Sequence, residues 1–120
     1  MRDDGRPLFV QIAEQIETSI VDGSLAEEAQ VPSTNELAAF HRINPATAAK
    51  GVHQLVADGV LYKRRGIGMF VATGARTLLL DRRREEFAKA YLAPLLAEAR
   101  KLGMDAEQVK KMIDVAGEES

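Results

Sequence analysis

Residues 31–71 read VPSTNELAAFHRINPATAAKGVHQLVADGVLYKRRGIGMFV, and this stretch decides the fold. Ser33 precedes a helical apolar pattern, and Glu36 follows three residues later. That spacing is a capping box, in which the serine oxygen accepts a free backbone N–H and the glutamate reaches back to the cap. Leu37, Ala38 and Phe40 are the apolar positions of the short helix that follows. A second helix is expected over residues 45–58. Asn44 is a suitable cap, and Pro45 suits the first helical position because its missing N–H would have no partner there. Gly59 is the expected stop. The inward side of this helix is Ala48, Val52, Leu55 and Val56 at helical spacing. Its outward side carries Ala46, Thr47, Ala49, Lys50 and His53.

Beyond Gly59, residues 60–63 and 69–72 read as two strands. Arg64, Arg65, Gly66, Ile67 and Gly68 lie between them, and the glycines supply the dihedrals of a hairpin. Two helices joined by a tight turn and followed by a basic ribbon define a winged helix-turn-helix. The motif places its second helix in a DNA major groove, with the ribbon tip beside it. Small and polar residues at the start of that helix allow close approach to base edges and phosphates. Lys63, Arg64 and Arg65 suit phosphate contact or a narrow minor groove. The competing reading of each feature alone is a solvated helix face or an ordinary hairpin. Their order and spacing favour the motif. The glycines at 66 and 68 are not a dinucleotide fingerprint, because no third glycine and helix follow.

Working outward, residues 8–21 form an amphipathic helix with Val10, Ile12, Ala13, Ile16 and Ile20 on its apolar face, ended near Gly23. Residues 1–6 are polar and expected to be mobile. After Thr73 and Gly74 come Leu78, Leu79 and Leu80, then Phe87, Ala90, Tyr91, Leu95, Leu96 and Ala99 at helical spacing, with Pro94 expected to kink the helix. Gly103 breaks the pattern. Asp105 can cap a last helix carrying Val109, Met112, Ile113 and Val115. Two amphipathic helices cannot bury their apolar faces alone, so they pack on the first domain or on a second subunit. The fold class expected is mainly α with a small β-ribbon: a winged helix-turn-helix over residues 7–73 and a helical dimerisation tail over residues 76–116.

Four segments, PLFVQIAEQIETSIVDGSL, PSTNELA, INPATAAKGVHQL and DGVLYKRRGIGMFVA, together resemble the GntR superfamily of bacterial transcription regulators. The short helical tail is most similar to its YtrA-type members. The resemblance implies DNA contacts from Ser33, Asn35, Asn44, Pro45, Ala46, Thr47, Lys50, Arg65 and Gly66. It also implies a tail dimer, with Leu78, Leu79, Phe87, Tyr91, Leu95, Leu96, Val109, Met112 and Ile113 as candidates for the interface. A target among genes for a membrane transporter is a further implication. Two departures stand out. Asn35 occupies the usual place of an arginine, and Glu27-Glu28 replaces the usual Pro-Gly turn.

Composition bounds the alternatives. The chain has 120 residues, no cysteine and a net charge of −2. Structural disulfides and thiolate metal sites are therefore excluded, and a cytoplasmic location is expected. The overall acidity speaks against DNA, but residues 42–65 hold five basic side chains against the single acid Asp58. Local charge decides affinity for phosphate. The run Arg82, Arg83 and Arg84 can be neutralised by Asp81, Glu85 and Glu86 on the same helix. His41 and His53 lack the partners of a metal or catalytic site, so no enzyme, metal or cofactor is expected. The expected function is that of a DNA-binding regulator acting as a homodimeric repressor on an inverted repeat. The alternative is a winged helix used for protein interaction, which would more often show exposed aromatics at the start of the motif helix.

Overall fold

The computed structural model describes residues 5–120, so the first four residues of the polar start lie outside the described residues. The elements are α1 (Leu8–Val21), α2 (Thr34–His41), α3 (Pro45–Ala57), β1 (Leu61–Arg64), β2 (Gly68–Val71), α4 (Ala75–Phe87), a π-helical stretch (Ala88–Leu92), α5 (Ala93–Lys101) and α6 (Ala106–Glu119). The mainly helical winged-helix architecture expected from the sequence is the one found. Two compact units divide the chain, Met1–Asp81 and Arg82–Ser120.

In the first unit, Ile12, Ile16 and Ile20 of α1 meet Leu37 and Ala38 of α2 and Ala48, Val52 and Leu55 of α3 in one core. Phe40, expected on the apolar side of α2, is instead 82% exposed. The crossing of α1 and α3 depends on Gly51. A Cβ there would lie 2.7 Å from the Phe9 carbonyl oxygen and 3.1 Å from Ile12 Cγ2. This explains a glycine in mid-helix, where it costs about 1 kcal/mol relative to alanine. Gly51→Ala is expected to lower stability by about 1–3 kcal/mol despite the better helix propensity, because backbone must move to admit the methyl group. Urea denaturation checks this; a stabilised variant would show that the crossing is slack.

Helix α3 ends as the sequence suggests. Gly59 has φ +79°, its N–H donates to Val56 O at 3.1 Å, and Val60 N–H reaches back to Leu55 O at 2.9 Å. This is a Schellman stop, completed by the buried pair Leu55 and Val60. The wing follows at once. β1 and β2 are antiparallel, with Leu61 opposite Val71 and Arg64 opposite Gly68. A third extended segment lies on the other edge of β2. Glu28 N–H donates to Val71 O, Val71 N–H to Ala29 O, and Val31 N–H to Met69 O, all at 2.8–3.0 Å.

The Glu27-Glu28 departure is accommodated here. Glu28 takes φ +67°, a left-handed conformation that a glycine would adopt without strain. Its carboxylate accepts hydrogen bonds from the Tyr62 hydroxyl and from Thr73 Oγ1. These bonds, Tyr62 first, hold the Glu28 carboxyl below its ordinary pKa, and the same contact pushes the Tyr62 phenol up. Glu27 accepts from Gly74 N–H at 3.0 Å, at the entry to α4. The loop before α2 is thus clasped to the base of the wing and to the start of α4 by side chains.

Leu79 departs from the dimerisation expectation. It is 0% exposed and belongs, with Ala75, to the core of the first unit. Its neighbours in the chain, Leu78 and Leu80, lie nearer the surface. In the second unit the π-helical stretch lies just before Pro94, whose missing N–H interrupts the regular ladder. Asp105 caps α6 in a capping box with Gln108. Val109, another candidate for the dimer interface, is 6% exposed and shares a small cleft with Leu96, Ala99 and Met104 of its own unit. It too is committed to packing within the chain.

Candidate nucleic-acid interface

The start of α2 is fixed by its cap. Glu36 N–H donates to Ser33 Oγ at 3.1 Å, and Ser33 N–H donates to Glu36 Oε1 at 3.1 Å. Hydrogen bonding to the Ser33 backbone, then to its side chain, holds the Glu36 carboxyl below its usual value. Asn35 is exposed in the first turn of α2. The turn into α3 uses Arg42 at φ +56°, with Ile43 N–H returning to Ala38 O at 3.0 Å. Asn44 Oδ1 then accepts from Ala46 N–H at 2.8 Å, which caps α3 and leaves the amide NH2 of Asn44 to donate elsewhere. Asn44, Pro45, Ala46 and Lys50 are exposed, and Thr47 is half-buried. Residues 44–50 themselves include no aromatic side chain; the exposed Phe40 is in the last turn of α2.

Two clefts gather the candidate residues. One, about 220 Å³, is lined by Ser33 and Thr34 at the start of α2, Val52 of α3, and Lys63, Ile67 and Met69 of the wing. The other brings Ala46, Thr47 and Lys50 together with Leu8 and Phe9 of α1. Phe9 was not singled out by sequence. The Lys50 ammonium sits 4.1 Å from the centroid of its ring, a cation–π contact that restrains the lysine stem beside the start of α3. An aromatic residue next to Leu8 at a helix N-terminus reads only as core, so the sequence held no signal for this pairing.

The wing divides its cations. Arg64 lies over the Phe70 ring, 4.9 Å from its centroid, and also attracts Glu28. Lys63 and Arg65 are exposed, Arg65 and Gly66 at the turn itself. Arg65 is therefore the more available of the two arginines. Arg65→Ala is expected to weaken binding to every duplex alike and to reduce the salt slope by about 1, with a smaller effect for Arg64→Ala. Equilibrium titration at several salt concentrations reads both; an unchanged slope removes the wing tip from the phosphate contacts. Arg82, Arg83 and Arg84 belong to the second unit, and each already has an interaction partner.

A capped two-helix motif with a polar, exposed second-helix start and a cationic wing is the anatomy of a winged helix-turn-helix DNA-binding protein. The chain belongs to the bacterial regulatory proteins of the gntR family, whose model matches residues 8–71. It is 27% identical over 107 residues to the HTH-type transcriptional repressor YtrA of Bacillus subtilis (strain 168), spanning 89% of this chain and 82% of that one. A transcriptional regulator from Oenococcus oeni has a similar structure, with a TM-score of 0.80 and 27% identity over 97% of this chain and 95% of that one. AraR(DBD) in complex with operator ORX1 is similar over 60% of this chain and 87% of its own, at 30% identity and a TM-score of 0.55. The chain is thus a DNA-binding regulatory protein, and its family is one of regulators rather than enzymes. Among the described residues no helix is long and apolar enough to cross a membrane, and no group of His, Asp or Glu could hold a metal.

Proposed function

We propose that the protein is a YtrA-type transcriptional repressor, acting in the cytoplasm as a homodimer on an inverted-repeat operator. The observation that carries this reading is the exposed, capped start of α3 beside a wing whose Lys63 and Arg65 are exposed. α3 enters the major groove through Asn44, Pro45, Ala46, Thr47 and Lys50. Ser33 and Asn35 contact the flanking backbone and base edges, and Lys63, Arg64, Arg65 and Gly66 follow the adjacent phosphates. The likeness to the repressor YtrA extends through both units, which supports the same division of labour. Residues up to Asp81 then form the DNA-binding domain, and the tail supplies the dimer contact through Phe87, Tyr91, Leu95, Leu96, Met112 and Ile113, with Leu78 of the first unit exposed beside Leu79 as a further candidate. Repression follows from exclusion of polymerase at an occupied operator.

Selection of bound duplexes from a random pool tests this. The expected winner is a pseudo-palindrome with half-sites about one helical turn apart, roughly 34–36 Å, or a multiple of that distance. A winner without two-fold symmetry contradicts the dimer, and a pool without a winner contradicts sequence-specific binding. On the selected site, Asn35→Ala is expected to cost about 1–3 kcal/mol at one base position, and Asn35→Arg to move the preference there toward guanine. Identical base profiles for all three proteins would remove Asn35 from base readout.

A further inference from the structure

Phosphate attraction leaves one residue of the wing unexplained. Ile67 is 58% exposed at the extremity of a basic hairpin, where a bare aliphatic side chain is unfavourable in water. It lines the same cleft as Ser33, Val52 and Lys63, which puts it on the motif side of the wing. Its backbone is held at both polar groups. Ile67 N–H donates to Arg64 O at 2.9 Å, and Ile67 O accepts from Gln30 Nε2 at 3.0 Å. Gln30 comes from the third extended segment, where it bridges Phe70. Glycine at position 68 leaves room for this amide: a Cβ there would lie 2.7 Å from Gln30 Nε2, and the end of the Gln30 side chain would have to shift. Gly68 also has φ +145°, a conformation that other residues rarely adopt. The backbone of Ile67 is thus tied to Arg64 and to Gln30, with the exposed Arg65 two residues away on the same tip.

A guanidinium and an aliphatic group on one hairpin tip match the chemistry of a narrow A·T minor groove. Negative potential there attracts the arginine, and the apolar sugar walls and adenine edge accept the hydrocarbon. A G·C pair instead presents the guanine N2 amino group on the groove floor, where an isoleucine would bury it without a partner. We propose that Ile67 is a specificity-determining residue, seated in the minor groove beside the α3 site and selecting A·T pairs there, with Gln30 as its positioning residue. The inference rests on the DNA-binding reading given above.

Inosine substitution tests it, because an I·C pair has the minor-groove face of A·T and the major-groove face of G·C. Each A·T pair of the selected operator is replaced in turn by G·C and by I·C, and affinities are measured for the full chain. At the pairs under the wing, G·C is expected to weaken binding about tenfold and I·C to restore it to within about twofold. Ile67→Ala should shrink the G·C penalty below about threefold. Gln30→Ala should flatten the same positions and leave the profile under α3 unchanged, a pattern that general destabilisation would not produce. Equal losses on G·C and I·C at every pair, or a full penalty retained by Ile67→Ala, overturn the inference while DNA binding stands. Failure of the full chain to bind any selected duplex overturns the DNA-binding reading itself, and this inference with it.

Discussion

Ending the chain at Asp81 is expected to lower affinity for the full operator by about 10²–10⁴-fold while leaving affinity for a single half-site nearly unchanged. Two linked motifs bind their half-sites with an effective concentration set by the linkage, and separate ones do not. The proposed linkage lies in the second unit, whose helices leave Phe87, Tyr91, Met112 and Ile113 each more than half exposed. Apolar surface of that kind on regular helices marks an interaction face. The place of the cut matters. A chain ending at Thr73, the boundary expected from the sequence, would also lose Ala75 and Leu79 from the core of the first unit. Ending at Asp81 keeps both. Sedimentation should give a dimer for the full chain and a monomer for the shorter one. A full-length monomer at concentrations of tens of micromolar, or a shortened chain that still dimerises, would show that the tail is not the dimer element.

The next largest effect is expected at Leu79. Its side chain is fully buried, so Leu79→Ala should destabilise the first unit by about 2–5 kcal/mol through lost burial and the cavity left behind. Leu78, 42% exposed, should cost much less on the same change. Urea denaturation of the chain ending at Asp81 separates the two, since that chain carries no tail. If Leu79→Ala lost less stability than Leu78→Ala there, the start of α4 would not be an integral part of the domain.

Which parts of this molecule could be read from sequence follows from the range of the interactions. Ser33 with Glu36, Asn44 with Pro45, Gly59, and Asp105 are signals carried within one turn of chain, and they mark the starts of α2, α3 and α6 and the end of α3 to within a residue or two. The wing strands were displaced by one residue from the expected spans, because alternation alone does not set where pairing begins. Contacts between distant segments left no local trace. Lys50 on Phe9, Gln30 on the carbonyl of Ile67, and Glu28 on Tyr62 and Thr73 join residues 34–45 positions apart in the last three cases. Leu78, Leu79 and Leu80 looked equivalent as a cluster. Helical geometry separates them, since successive residues point about 100° apart and only one of the three faces the core. Asn35 was visible as a departure from the resembled family, but its consequence depends on DNA.

One face of this chain is expected to distinguish a specific duplex from all others. Titrating the full chain with the selected operator and with a scrambled duplex of equal length, across roughly 50–200 mM salt, tests it most directly. The operator should be preferred by about 10³-fold or more at the highest salt, while affinity for both duplexes falls as salt rises. Equal affinity for the two duplexes across the series would contradict the account.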